Sequence, residues 1–339
     1  MIKDSAVFPE GFQFESGEQL DKLEIAYHHS NNYTTDKKVI WICHALTANS
    51  NPEEWWDGLV GKGKLFDTDK YFVICANMIG SCYGSSGPSS IGPAGIPYML
   101  SFPQVSVRDI VKAHNLLRIK LGIEQIDLIA GGSIGGFQAL EWGIMYPDIM
   151  KNILLIACNA RVSPWGTAYN ESQRMALLAD KTFAEQVCIK GGELGLQTAR
   201  SVALISYRSY DGYNLTQKEE DEDLLFAGRA ATYQQYQGRK LSDRFDAYSY
   251  YTLTRSVDSH NCGRERGGVE KALGLIKANT IVVGIDSDTL FPVEEQRFLH
   301  KYIKNSKFEL LESRWGHDGF LLEWEQIARV VKRHINFIS

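Results

Sequence analysis

The run Gly131-Gly132-Ser133-Ile134-Gly135 sets one serine between glycines two residues to either side, the G-x-S-x-G spacing of a nucleophile elbow. A serine presented at a tight strand-to-helix turn can attack an acyl carbon, and glycines are needed there because side chains would clash with neighbouring backbone. The residues Asp127-Leu128-Ile129-Ala130 before it read as a strand, and Ile134 to Met145 after it as a helix that stops before Pro147. The helix N-terminus then points at Ser133 and puts a positive dipole end beside any oxyanion formed there.

A serine hydroxyl is a weak nucleophile until a base takes its proton, so Ser133 predicts a histidine and a carboxylate further along, in the order serine, acid, histidine. Two acids qualify, Asp286 and Asp288, in Gly284-Ile285-Asp286-Ser287-Asp288-Thr289-Leu290-Phe291-Pro292 after the last strongly apolar run. The histidine is His317, in Ser313-Arg314-Trp315-Gly316-His317-Asp318-Gly319-Phe320 after a further short strand-like run. Both lie on loops at strand ends, where catalytic groups gather. His28, His29, His114, His260, His300 and His334 read as surface or satisfied core. His44-Ala45-Leu46-Thr47 occupies the loop after an early strand, where this arrangement places its second oxyanion donor. The donors are assigned to the backbone N–H groups of Leu46 and Ile134, with His44 itself structural.

The elements that must position these residues follow from apolar patterning. Lys38 to Cys43, Tyr71 to Ala76, Ile126 to Ala130, Ile153 to Ala157 and Thr280 to Ile285 are near-continuous apolar runs, as in strands buried on both faces. Helical stretches Val107 to Leu121, Ile134 to Met145, Val293 to Ile303 and Trp324 to Ile335 alternate with or follow them. The alternation predicts an α/β protein with a mostly parallel, doubly wound sheet. Phe12 to Phe14 and Leu23 to Tyr27 read as an opening hairpin. Between about Ser163 and Ala272 the alternation lapses into helical patterns (Glu171 to Leu178, Leu194 to Ile205, Leu224 to Tyr236) and an acidic run, Glu219 to Asp223, read as a solvated face. The expected organisation is an α/β-hydrolase fold: core 1–162 and 273–339, with a helical lid insertion at 163–272.

Composition narrows the partners. With 339 residues, 44% apolar, the chain can bury a large core, and a net charge of −5 without a basic stripe argues against nucleic acid. No apolar stretch reaches the roughly eighteen residues of a membrane span, and the N-terminus lacks a signal-peptide core, so the expectation is a cytoplasmic protein with small-molecule substrates. Six scattered cysteines form no C-x-x-C pair, and no cluster asks for a metal. Gly58 to Leu65 mimics a phosphate-binding loop, but Leu65 replaces the hydroxyl residue that would hold Mg²⁺. Asn32-Tyr33-Thr34, Asn170-Glu171-Ser172 and Asn214-Leu215-Thr216 are sequons without meaning unless the chain is secreted.

Beyond the triad, His44-Ala45-Leu46-Thr47, Glu54-Trp55-Trp56, Cys75-Ala76-Asn77 with Gly80 to Pro88, Gly131 to Gly136 with Gln138 to Trp142, Asp288 to Pro292, and Gly316-His317-Asp318 together resemble the homoserine O-acetyltransferase family. The resemblance runs from about Phe12 to the C-terminal helix. It implies ping-pong transfer of the acetyl group of acetyl-CoA to the side-chain hydroxyl of L-homoserine, a step of methionine biosynthesis. It implies Ser133 as nucleophile, His317 as general base and acid, and Asp288 as the orienting carboxylate, since the family's acid stands three residues before the Phe of Leu-Phe-Pro. It further implies that Asp318 binds the substrate ammonium and that Arg200 holds its carboxylate, a task suited to a guanidinium fork. Arg174 is the reserve for that last role, with a lid salt bridge as the alternative for either arginine. Ile134 stands where the family commonly has Met, but only its N–H is needed. No permanently bound cofactor is implied, and a homodimer built through the lid is. Relatives that use succinyl-CoA or acylate L-serine, and serine esterases with the same triad, are the alternatives.

Overall fold

A computed structural model of the chain describes residues 1–338 apart from 187, 222 and 227; Glu222 of the acidic run and Ala227 of the expected 224–236 helix lie outside the described residues. Ten strands are formed: β1 (Ile2–Phe8), β2 (Phe12–Gln13), β3 (Gln19–Leu20), β4 (Leu23–His29), β5 (Val39–Cys43), β6 (Phe72–Ala76), β7 (Leu128–Gly132), β8 (Asn152–Ile156), β9 (Asn279–Ile285) and β10 (Ser306–Leu311). Eight of them make one sheet in the order β1-β4-β6-β5-β7-β8-β9-β10. All pairings from β6 through β10 are parallel, and β1 and β4 add antiparallel strands at one edge.

The expected opening hairpin is a different object. Phe12–Gln13 pairs with Gln19–Leu20 in a separate two-stranded ribbon, while Leu23–His29 pairs with Ile2–Phe8. The first strand escapes pattern reading because it is an edge strand, exposed along most of its length, with only Ala6 and Phe8 buried. An edge strand has one side to solvent and need not alternate cleanly.

The helices α1 (Val107–Lys120), α2 (Ile134–Met145), α8 (Val293–Tyr302) and α9 (Trp324–His334) flank the sheet; α3 (Pro164–Ala179), α4 (Glu193–Tyr207), α5 (Tyr210–Gln217), α6 (Arg229–Ser242) and α7 (Ala247–Asp258) fall between β8 and β9. The period of two along β5 explains its continuous apolar run. Val39, Trp41 and Cys43 face the core that includes Ile110, Leu117, Phe137 and Leu299, whereas Ile40 and Ile42 face the core that includes Leu59, Phe66, Ile327 and Val331. α7 was not foreseen, because its Tyr-, Ser- and Thr-rich sequence hides a buried stripe of Tyr250, Leu253 and Val257. No helix among the described residues is long and apolar enough to cross a membrane.

Three histidines belong to this interior. His44, His114 and His260 are fully buried, and burial pushes their pKa values down to about 4, 3 and 4 from the ordinary 6.5. A lowered folded pKa means that the unfolded chain binds the proton first, so the stability from a neutral buried histidine is intact above pH 6.5 and lost as pH falls toward the folded value. Removing one such titration should flatten the pH dependence. His114→Gln is expected to lose less stability than the native chain between pH 6.5 and 4.5, the native slope being steeper by up to about 1.4 kcal/mol per pH unit. Denaturant melts across that range check it; equal slopes would contradict it.

Candidate active site

The switch in strand order between β5, whose chain next crosses to β6, and β7 leaves the carboxyl ends of β5 and β7 side by side, where α/β folds open a crevice. Ser133 directly follows β7 and carries φ 58° and ψ −130°, a conformation outside the usual range for a residue with a side chain. The turn is tight enough that a Cβ on Gly131 would run into the Gly135 carbonyl, and one on Gly135 into the Cys43 carbonyl of β5. These two glycines let strand, turn and helix touch, which is why the serine can be half-buried yet open to the cavity beside it.

Asp288 and His317 follow β9 and β10, which lie beyond β8 on the same side of β7. His317 Nδ1 lies 2.7 Å from Asp288 Oδ2. The other carboxylate oxygen, Oδ1, accepts the backbone N–H groups of Leu290 and Phe291 at 2.8 and 3.0 Å. Because an ionised carboxylate only accepts, His317 Nδ1 carries the proton and Nε2 is the free base; Nε2 is buried with no hydrogen-bond partner among the described residues. Rings of Tyr207, Phe291 and Phe320 surround the imidazole at 5.8, 5.2 and 5.4 Å. Asp286, the other acid open on residues alone, accepts the Ser313 N–H at 2.9 Å and so ties the acid loop to the histidine loop. Ser287 Oγ adds to that lacing, donating to the Ser313 carbonyl and accepting from Gly316 N–H.

Leu46 lines the cavity above Ser133, and neither its N–H nor that of Ile134 has a hydrogen-bond partner among the described residues. The loop carrying Leu46 is held from behind by His44. Its Nε2 accepts the Met78 N–H at 3.0 Å, which puts the ring proton on Nδ1, where it is given to the Ala45 carbonyl at 2.9 Å. Both ring nitrogens are spent on backbone, so His44 is structural, as its position suggested.

A cavity of about 530 Å³ opens on Ser133 and His317 and is also lined by Arg200, Asp318, Tyr83 and Arg244. Arg200 enters from α4 and makes no hydrogen bond or ion pair with any described residue; its guanidinium lies 5.5 Å over the Tyr207 ring. Arg174 does not reach this cavity. It is buried and paired with Glu171 and Asp258, each at 2.7 Å, the lid salt bridge that was its alternative reading. Asp318 is paired instead with Arg208, whose Nε lies 2.8 Å from Oδ2. Sequence reasoning did not single out Arg208, because a pair 110 residues apart in the chain leaves no local pattern. Burial pushes the Asp318 carboxyl up, against Arg208 and then Arg200, which pull it down.

A second, much smaller chamber of about 20 Å³ also touches Ser133 and Leu46 and is closed by Phe137, Val257, Leu290 and Phe291. It is comparable to the space of one water or methyl group, and no lysine or arginine lines it.

Comparison with known proteins agrees with this architecture. A family model for the alpha/beta hydrolase fold matches residues 38–323. Homoserine O-acetyltransferase of Cyclobacterium marinum is 41% identical over 325 residues, which cover 95% of this chain and 92% of that protein. Among solved structures, homoserine O-acetyltransferase from Bacillus anthracis superposes with a TM-score of 0.89 at 23% identity, covering 100% of this chain and 99% of the other. An acetylester hydrolase from Corynebacterium glutamicum does so at 0.85 and 23%, covering 99% and 95%, so the fold alone is common to transferases and hydrolases. Similarity of about 40% along nearly the whole length decides the family: this chain belongs to the homoserine O-acetyltransferases of the α/β-hydrolase fold.

Proposed function

We propose that the protein transfers the acetyl group of acetyl-CoA to the side-chain hydroxyl of L-homoserine, a step serving methionine biosynthesis, through an acetyl-serine at Ser133. The observation that carries this reading is the pair of opposite charges, Arg200 and Asp318, facing the same cavity as Ser133 and His317. A cation and an anion set beside a nucleophile suit a zwitterionic amino acid, and a simple ester would need neither.

His317 Nε2 takes the Ser133 Oγ proton as Oγ bonds to the thioester carbon, and the N–H groups of Leu46 and Ile134 hold the oxyanion. The carbon–sulfur bond then breaks, and the proton passes from His317 to the thiolate, releasing CoA. L-Homoserine, with its carboxylate on Arg200 and its ammonium on Asp318, gives its hydroxyl proton to His317 and attacks the acetyl-serine. Ser133 Oγ leaves and recovers that proton. Fixing the acceptor in this way raises its effective molarity over water, which separates transfer from hydrolysis.

The small chamber beside Ser133 supports acetyl over succinyl as the group carried. It has room for a methyl but not for the two further carbons of a succinyl group, and it offers no cation to a terminal carboxylate. CoA release is expected to be at least about tenfold faster with acetyl-CoA than with succinyl-CoA when L-homoserine is the acceptor, and faster with L-homoserine than with L-serine. Equal rates with both donors would remove the acetyl assignment; continued turnover without acceptor, beyond the one CoA released per Ser133 acetylated, would indicate an esterase-like hydrolase. Exposed apolar side chains on α4 and α5, among them Leu194, Ile205, Tyr210 and Leu215, support a homodimer through the helical region. Sedimentation of the intact protein tests that point.

A further inference from the structure

The corner between α4 and α5 is built onto the loop that carries His317. Arg208 ends α4 in an extended conformation, φ −107° and ψ 151°, and Ser209 opens α5 by accepting the Gly212 N–H at 2.9 Å while donating to the Arg314 carbonyl. Gly316, at φ 66°, lies against this corner so closely that a Cβ there would overlap the Arg208 and Ser209 backbone. Arg208 therefore leaves the helix directly beside Asp318, with its guanidinium 6.0 Å from the Trp315 ring.

We infer that Arg208 is a positioning residue for acceptor recognition: by holding Asp318 Oδ2 it turns Oδ1 toward the cavity, where that oxygen takes the ammonium of the amino-acid substrate. The inference rests on the acetyl-transfer reading above and assigns separate tasks to two arginines of one helix region. Arg208 is committed to Asp318 at 2.8 Å, and Arg200, without an ion pair among the described residues, is left for the substrate carboxylate. Neither Asp318 oxygen accepts a hydrogen bond among the described residues, and only Oδ2 has an ion-pair contact, to Arg208. The contact is an ion pair at 2.8 Å through Nε rather than a bidentate fork, and Nε makes no hydrogen bond among the described residues. Arg208 also opposes the upward push of burial on the Asp318 carboxyl, which stays raised overall.

The test separates the two half-reactions and compares two acceptors, L-homoserine and 4-hydroxybutyrate, which keeps the hydroxyl and carboxylate but lacks the ammonium. In the native enzyme, homoserine should be strongly preferred. In Arg208→Gln the preference should fall about tenfold or more through a raised KM for homoserine, as expected when a partly buried carboxylate loses its ion-pair partner. Single-turnover acetylation of Ser133 by acetyl-CoA should stay within about threefold of native, because Arg208 does not line the cavity and acts only through Asp318. Arg208→Lys should restore part of the preference. An unchanged acceptor ratio in Arg208→Gln, or a loss of acetylation equal to the loss of transfer, would overturn the assignment, as would a native enzyme indifferent to the ammonium. Failure of the native enzyme to acetylate Ser133 at all would instead overturn the acetyl-transfer reading on which the assignment stands.

Discussion

Asp288→Asn is expected to lower kcat by about 10⁴-fold while leaving the fold intact, by the tautomer logic known from serine proteases. The two oxygens of Asp288 are not equivalent. Oδ1 receives two backbone N–H donors, from Leu290 and Phe291, and Oδ2 faces His317 Nδ1. In the amide variant the carbonyl oxygen must take the position that accepts those two donors, since an NH₂ there would face them donor to donor. The NH₂ then points at His317 and needs an acceptor, so Nδ1 gives up its proton and Nε2 holds it. A protonated neutral imidazole nitrogen cannot take the proton of Ser133. Acylation kinetics of the variant check the loss, and a melting temperature close to native checks that it is a tautomer effect rather than misfolding. Activity within tenfold of native would show that Asp288 does not set the tautomer.

Ser133→Ala should be at least as damaging, with acyl transfer down by about 10⁴-fold or more and no covalent intermediate. Alanine keeps a Cβ and so leaves the packing of the elbow unchanged, including the contacts of Gly131 and Gly135 with neighbouring carbonyls. What remains is the pair of free N–H groups at Leu46 and Ile134, which accounts for a residual rate above water but not for turnover by an acyl-serine. Stability should be native or slightly higher, because a hydroxyl that opens onto a cavity contributes little to packing. A variant that retains a tenth of the native rate would place the nucleophile elsewhere.

Much of this site is legible in the chain because close packing leaves compositional marks. The glycines around Ser133 are required by carbonyls of β5 and α2, and that requirement is visible as a repeat of glycines after an apolar run. The buried strands are visible for the same reason: β5 must be apolar at every position when both faces are covered. The choice between Asp286 and Asp288 is not visible in the residues alone, since both follow β9; resemblance to a family favoured Asp288, and the geometry differs because Asp286 turns to the Ser313 N–H whereas Asp288 faces the imidazole. Long-range ion pairs leave no such marks. Arg174, the reserve to Arg200, is held by Glu171 and Asp258, and the Arg208–Asp318 pair has no counterpart in local sequence. The first strand was missed because it is a mostly exposed edge.

The central claim is that Ser133 carries an acetyl group between a thioester and an amino-acid hydroxyl. The most direct measurement is to mix the enzyme with acetyl-CoA and no acceptor, stop the reaction, and locate the acetyl group by mass spectrometry of the digested chain, then repeat after a brief chase with L-homoserine. The account predicts one acetyl group on the peptide containing Ser133, cleared by the chase as O-acetylhomoserine appears. An acetyl group on another residue, or one on Ser133 that water removes as fast without homoserine as with it, would contradict it.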